Sequence, residues 1–408
     1  MVFHLVISID ELWLKGKNQR LYLRSAIDHI NSVFKNYHFD KFSQKIKFQR
    51  LYYSSPSPYS DELITALTKV PGLSYISPSK VMPRAPNEDL ENVYAEILNE
   101  LSFLEYTSKT FRASVRRIDQ FFSQHSTVIE REIGHRVITR YPRAKVKLQK
   151  PEIEIDVRIL AKEVSISVNS YKGIGGLPWG TTGSALTMLS GGFDSPVASF
   201  LMAKRGIKQS FVFFHAYPFV GREVLTKIKK LVSELAKYQR NTHLYIIPFG
   251  DIQNLISKNC NDEYRTIFFK KYMVELANLL CDRLNATALI TGDSVGQVSS
   301  QTMENLHLMD IASKRMIMRP LIGFNKLEIL NCATAIGTHS ISIQPHDDAC
   351  ALFASKNPII IPDVDYWNSW EREHNFDSEL LAALDKMESF SVNLRGEIFK
   401  KDFFSFDS

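Results

Sequence analysis

Cysteine is scarce in this 408-residue chain: Cys260, Cys281, Cys332 and Cys350 are scattered without a C-x-x-C pair. Neither a disulfide framework nor a cysteine-based zinc site is expected, and no other metal-ligand spacing stands out. No Gly-Lys-Ser/Thr occurs, so a Walker A lysine is excluded, and no G-x-G-x-x-G follows a strand pattern. No apolar run approaches the roughly 20 residues of a membrane span. The first ten residues alternate as a short strand, without a basic flank or cleavage site, so the expectation is a cytoplasmic protein that does not engage a membrane. Internal repeats and low-complexity tracts are absent too.

With 44% hydrophobic and 23% charged residues, the composition is that of a globular chain long enough for two or three domains. The net charge of +6 is unevenly spread: residues 1–180 hold 26 basic and 19 acidic side chains, and 109–150 alone hold 11 and 3. Such a local excess is the footprint expected for a polyanion, although a solvated basic face has the same composition.

Periodicity divides the chain into units. Strand 3–9, helix 18–34, strand 46–52, helix 61–68 and strand 75–78 give a ferredoxin-like α+β domain over 1–78. A second small unit, 79–172, has helix 90–101, strand 110–117, helix 126–140, strand 145–148 and a hairpin of strands 152–160 and 163–171. The glycine-rich stretch 173–184 reads as a linker of turns rather than a nucleotide loop. Over 185–408, strands 185–189, 210–215, 243–249 and 288–291 alternate with helices 196–205, 222–238, 251–257, 262–284 and 298–306, the rhythm of a doubly wound parallel sheet. After residue 358, helix 378–387 and an aromatic, basic tail through Phe399, Lys400 and Lys401 are expected to dock on this last domain.

The segment Leu189-Ser190-Gly191-Gly192-Phe193-Asp194-Ser195-Pro196 carries the chemistry. It places two glycines and two hydroxyls between a strand and a helix start, where backbone N–H groups and the helix terminus favour an anion. An ordinary glycine turn with Asp194 or Ser195 as helix cap is the bland alternative. In a parallel sheet the carboxyl ends of the strands share one crevice, so the Ser190 turn, His215 to Pro218 and Gly292 to Gln297 should face it together. A lone histidine such as His215 is more often structural than catalytic.

Ser-Gly-Gly-Phe-Asp-Ser resembles the PP-loop of ATP pyrophosphatases. Glu11-Leu12-Trp13-Leu14-Lys15-Gly16-Lys17-Asn18, Val115-Arg116-Arg117, Ile129 to Gly134, Gly175-Gly176-Leu177-Pro178, Thr291 to Thr302 and Arg319-Pro320-Leu321-Ile322 with Lys326 extend the likeness. Together they are similar to the ThiI-type tRNA 4-thiouridine synthetases, with a THUMP domain in second place, over residues 10 to 360. The resemblance implies ATP-dependent adenylation of the 4-keto oxygen of uridine 8 in tRNA, then sulfur delivery from a cysteine desulfurase. ATP and Mg2+ are the implied cofactors, and a homodimer is left open.

By the same resemblance Leu189, Ser190, Gly191, Gly192, Asp194, Ser195, Phe214, His215, Gly292, Gln297 and Gln301 line the nucleotide. Asp194 and Lys326 serve adenylation and Cys350 serves sulfur transfer. Arg112, Arg116, Arg117, Arg131, Arg136, Arg140, Lys145 and Lys147, with Lys15 and Lys17, are the implied RNA contacts.

Three positions depart from the family pattern: Asp10 for a glycine, Ser184-Ala185 ahead of the first strand, and Ala349 where relatives often carry another cysteine. No rhodanese-like domain is expected, since about fifty residues after Pro358 are too few for one. Sulfur then has to reach Cys350 from a partner, although Asp347 and Asp348 beside it would raise its thiol pKa. Alternatives are another PP-loop tRNA enzyme, making 2-thiouridine or lysidine, and a non-catalytic tRNA-binding module. Nothing in the residues speaks for the thiamine role known for some relatives.

Overall fold

The computed structural model describes residues 2–47, 50–84, 89–345, 355 and 357–401. Cys350 therefore lies outside the described residues. Two compact units are present: Met1–Gly16 with Val33–Gly175, and Lys17–Ser32 with Gly176–Ser408.

The first unit is built on one nine-stranded sheet. Strand β1 (Phe3–Ile9) pairs antiparallel with β3 (Arg50–Ser55) and β4 (Leu73–Pro83). In place of one strand over 46–52, β2 (Ser43–Lys47) and β3 form a hairpin in which Lys47 faces Arg50. Alternating polarity is equally present in both arms, which hid the reversal between them. β4 is longer than 75–78 and continues to pair with β8 (Glu163–Val168), so residues on both sides of position 78 share one strand. Next come β7 (Ile153–Ile159), β5 (Thr110–Arg117) and the two-residue β6 (Lys145–Val146), with β9 (Tyr171–Lys172) on β4.

The pleat explains how this sheet is used. On β7, Ile153, Ile155, Val157 and Ile159 are buried against helices α3 (Glu91–Glu100) and α4 (Ser126–Arg140), whose Ile129, Ile133 and Val137 recur every fourth residue. The alternate residues Glu154, Asp156 and Arg158 face the other way, opposite Arg112, Ser114 and Arg116 of β5. One strand pair thus supplies both an apolar core and a polar face.

The second unit holds a seven-stranded sheet in the order β14-β13-β10-β11-β12-β15-β16. Strands β10 (Ser184–Met188), β11 (Lys208–His215), β12 (Asn241–Pro248), β13 (Ala288–Ile290) and β14 (Met316–Met318) are parallel, as the βα rhythm predicts. The tail adds two strands the periodicity did not reveal. β15 (Glu388–Asn393) runs antiparallel to β12, and β16 (Ile398–Lys401) completes a hairpin. Its turn includes Gly396 at φ 83°, and Phe390 and Val392 point into the core.

Around the sheet lie α5 (Asp194–Lys204), α6 (Glu223–Ala236), α7 (Gly250–Asn259), α8 (Arg265–Leu284), α9 (Met303–Ala312), α10 (Lys326–Ala335) and α11 (His339–Ser342). The helix expected over 298–306 is instead a 3-10 turn, Ser299–Gln301, followed by α9. The Thr302 hydroxyl accepts from Asn305 N at 3.2 Å and starts the helix there. The linker glycines act as turn residues: Gly176 has φ 81°, and a Cβ on it would lie 1.9 Å from the Lys204 carbonyl. No described helix is long and apolar enough to cross a membrane.

Candidate functional site

β10 lies at the centre of the parallel sheet, with β11 on one side and β13 on the other. Chain order reverses there, which opens a crevice at the carboxyl ends of β10 and β13. The turn Ser190–Phe193 leaves β10 into this crevice and α5 begins at Asp194, with Pro196 tolerated in the first helical turn.

Internal hydrogen bonds set the turn's shape. Ser190 N donates to Ser195 Oγ at 2.8 Å, the two hydroxyls lie 3.1 Å apart, and Gly192 N donates to Ser190 Oγ at 3.3 Å. Ser195 is 4% exposed, and its hydroxyl braces the turn from within. Gly292, after β13, closes against the same point: a Cβ there would meet Ser195 N at 2.6 Å and the Asp194 carbonyl carbon at 2.8 Å.

Asp194 is where three segments converge. Its Oδ1 accepts from Lys326 Nζ at 2.9 Å and its Oδ2 from Gln297 Nε2 at 2.8 Å. Lys326 is the first residue of α10, fixed by a capping box in which Glu328 N donates to Asn325 Oδ1 at 3.0 Å and Asn325 N to Glu328 Oε2 at 2.8 Å.

The other residues expected at the nucleotide lie at the ends of β10 and β11 and in the 3-10 turn Ser299–Gln301. Leu189 and Phe214 are buried in hydrophobic clusters on the two faces of the sheet. His215 is 5% exposed, with Nε2 3.1 Å from the Gly221 carbonyl, a structural contact. Gln301 donates to Asp293 Oδ1 at 3.1 Å instead of reaching Asp194.

Asp293 and Arg319 belong to motifs the sequence showed, but their roles were not read there. Asp293 gathers Lys270 Nζ from α8 at 3.3 Å, Gln301, and Arg319 Nε at 3.8 Å. Burial pushes its carboxyl up, yet Lys270, with Gln301 and Arg319, brings it below the ordinary carboxylate value. Arg319 also donates to Asp310 of α9 at 2.7 Å, so these contacts tie together α8, α9 and the segment leading to α10.

Of the described cysteines, burial pushes Cys260 up to about 11 and Cys281 up to about 12, and raises Cys332 as well. All three are protonated thiols at neutral pH. Among the described residues no cluster of metal-ligand side chains occurs.

In the first unit, the polar face of β5 and β7 forms part of a cavity of about 590 Å³. Arg50, Arg112, Arg116 and Arg158 line it against only two carboxylates, Glu154 and Asp156. Arg112 is bonded to Glu154, and Arg158 to Asp156 at 2.6 Å. Arg50 and Arg116 make no such close pair among the described residues. Burial lowers Arg50 against the opposing pull of Asp156, and burial raises Asp156 against the opposing pull of Arg116 and Arg50.

The remaining basic candidates divide. Arg117 donates to the Phe122 carbonyl at 2.9 Å, and Arg136 is held by Glu91 and Glu132. Arg140 lies over the Tyr141 ring, while Arg131, Lys145 and Lys147 are exposed. Lys15 is half-buried, and Lys17, in the second unit, is exposed.

Three family models match the chain in order: the ThiI ferredoxin-like domain over residues 4–77, the THUMP domain over 87–169, and Thiamine biosynthesis protein (ThiI) over 180–376. A protein of Finegoldia magna named "Probable tRNA sulfurtransferase" is 33% identical over 393 residues, covering 96% of this chain and 99% of its own. One of the same name from Clostridium botulinum is 33% identical over 392 residues, covering 94% and 98%. A solved 4-thiouridine synthetase in complex with RNA and bound ATP superposes with a TM-score of 0.83 at 26% identity, covering 98% of this chain and all of that one. The chain belongs to the ThiI-type tRNA sulfurtransferase family.

Proposed function

We propose that this enzyme converts uridine 8 of tRNA to 4-thiouridine at the expense of ATP. The observation that carries the reading is Asp194, held between Lys326 and Gln297 beside an anion-binding turn at the sheet's switch point. A keto oxygen is a poor leaving group and AMP a good one. The uridine O4 attacks the α-phosphorus and pyrophosphate leaves; the outer sulfur of a Cys350 persulfide then attacks C4 as AMP departs, and an external thiol reduces the resulting disulfide, releasing 4-thiouridine and the Cys350 thiol.

The chain's own groups suit these tasks. Lys326 is placed to stabilise charge on the α-phosphate. With the Ser190 and Gly192 N–H groups turned to hydroxyls within the turn, the backbone N–H groups of Gly191 and Phe193 are the proposed donors to the departing pyrophosphate. Gly292, lacking a Cβ, allows the second loop to approach the turn. A single carboxylate next to a phosphate site matches how Mg2+ is held, through one or two carboxylates plus substrate phosphates, so Asp194 is the proposed protein ligand. That ion would neutralise pyrophosphate charge. In the first unit, Arg50 and Arg116 make the arginine cavity the proposed RNA grip, framed by the carboxylate-paired Arg112 and Arg158, with Arg131, Lys145 and Lys147 as outlying contacts.

Cys350 is the proposed sulfur-transfer thiol, fed by a cysteine desulfurase, because burial holds the described cysteines as thiols. A cytoplasmic setting fits a tRNA substrate. We keep the partition into a ferredoxin-like domain over 1–78, a THUMP domain over 79–172 and a PP-loop domain over 185–408, with β4 shared between the first two. The test is to combine the protein with ATP, magnesium, unmodified tRNA, a desulfurase and cysteine, and to follow thiouridine absorbance and pyrophosphate release. Neither signal in the wild-type enzyme would overturn the proposal.

A further inference from the structure

Helix α11 packs on the phosphate turn through two contacts. The Ser342 hydroxyl donates to the Gly192 carbonyl at 3.0 Å, and the rings of Phe193 and His339 lie 5.3 Å apart. Ser342 is 5% exposed and its position is itself fixed from behind. Lys227 of α6, 4% exposed, sends Nζ to the carbonyls of Ser342 at 2.8 Å and Gln344 at 2.7 Å. Those carbonyls lie at a helix C-terminus, where carbonyls lack intrahelical partners and a cation is favoured. Lys227 interrupts the buried face made by Val224, Ile228 and Leu231, a sequence signal that a lysine there has inward partners.

The geometry has a consequence for the turn. In a trans peptide the carbonyl of one residue and the N–H of the next point in opposite directions. With the Gly192 carbonyl drawn to Ser342, the Phe193 N–H is turned the other way. Phe193 is the residue before α5, among the N–H groups a helix start leaves without intrahelical partners. Rotation of this peptide would present a carbonyl oxygen to the anion instead of a donor.

We propose that Ser342 is a positioning residue for the phosphate turn: it holds the 192–193 peptide so that the Phe193 N–H faces the β,γ-phosphates of ATP. Lys227 holds Ser342 in register for this task. The inference rests on the ATP-dependent reading above and adds a residue remote in sequence from the turn.

The test uses the full-length enzyme and measures inhibition of tRNA-dependent adenylation by inorganic pyrophosphate and, separately, by AMP. Ser342→Ala is expected to raise the KM for ATP and the inhibition constant of pyrophosphate together, by about three- to tenfold, the worth of one oriented hydrogen bond. The inhibition constant of AMP and the KM for tRNA should stay within twofold of wild type. Ser342→Thr, which keeps the donor, should restore the pyrophosphate constant. Equal weakening of pyrophosphate and AMP would show general damage to the site and overturn the proposal. So would an unchanged pyrophosphate constant in Ser342→Ala, or a threonine variant no better than alanine. A wild-type enzyme that neither binds ATP nor releases pyrophosphate would instead remove the underlying reading.

Discussion

Lys326 Nζ lies 2.9 Å from Asp194 Oδ1, an ion pair between residues 132 positions apart. Its side chains are 47% and 23% exposed, so it adds less than about 1 kcal/mol to folding. Its value is functional: the ammonium is stored beside the turn, and an incoming phosphate competes with the carboxylate for it. Asp194→Asn and Lys326→Met should each lower pyrophosphate release by about 10²- to 10³-fold, the usual cost of losing a preorganised charge. Thermal stability and tRNA affinity should hold. Activity within tenfold of wild type in either variant would remove that residue from adenylation.

The fate of Gly292 is a second check. A methyl group there would press on the backbone N of Ser195, which no side-chain rotation relieves. Gly292→Ala should cost about 1–3 kcal/mol of stability or force the turn outward and raise the KM for ATP. Unfolding and steady-state kinetics together decide; no change in either would mean that the two loops separate freely.

The βα rhythm and the Ser-Gly-Gly-Phe-Asp-Ser turn were legible because both are local: period, turn chemistry and helix start lie within a few residues. Asp194 and Lys326 were found through motif likeness, but their contact is a product of strand order. Asp293 and Ser342 escaped, since the partners of the buried Asp293 carboxylate come from α8, the 3-10 turn Ser299–Gln301 and the segment before α10. The side chains of Leu189 and Phe214 enter the clusters on the two faces of the sheet because strand residues alternate, a placement set by the sheet rather than by the turn. The β15–β16 hairpin stayed hidden because short alternating stretches after a helix read equally well as a docking tail.

Cysteine reactivity should divide sharply. Cys260 and Cys281 titrate near 11 and 12 because they are buried, so at pH 7–8 both remain thiols and alkylate slowly in the native protein. Cys350→Ser is expected to abolish thiouridine formation while leaving pyrophosphate release intact. Cys260→Ser and Cys281→Ala should retain thiolation. Mass mapping of brief iodoacetamide treatment, alongside both assays, would refute the assignment if Cys260 or Cys281 were labelled first or if Cys350→Ser still thiolated.

The arginine cavity predicts a salt signature. Arg112 and Arg158 are occupied by carboxylates, whereas Arg50 and Arg116 make no close pair among the described residues. Arg50→Ala and Arg116→Ala should each weaken tRNA binding and reduce the slope of log K against log salt by about 0.7–0.9, one phosphate contact apiece. Arg136→Ala, whose guanidinium is already held by Glu91 and Glu132, should leave the slope unchanged. Fluorescence anisotropy across a salt series measures all three, and equal slopes for wild type and Arg116→Ala would place the RNA elsewhere.

Asp293 carries a pH-dependent share of stability. Its carboxyl titrates below its unfolded value because Lys270, Thr291, Gln301 and Arg319 together outweigh burial, so the folded protein binds its proton less readily than the unfolded chain. The contribution is therefore full above the unfolded value of about 4 and falls as acid brings the pH through the lower folded value. Asp293→Asn removes the charge but keeps an amide of similar size, leaving Lys270 without the Asp293 carboxylate and Arg319 with Asp310 alone. A loss of about 1–3 kcal/mol at pH 7 is expected, shrinking as the pH drops below 4, where the wild-type carboxylate is lost as well. Denaturant melts at pH 7 and at pH 3.5 measure this; a difference between variant and wild type that grew in acid would contradict the placement of Asp293 among those cations.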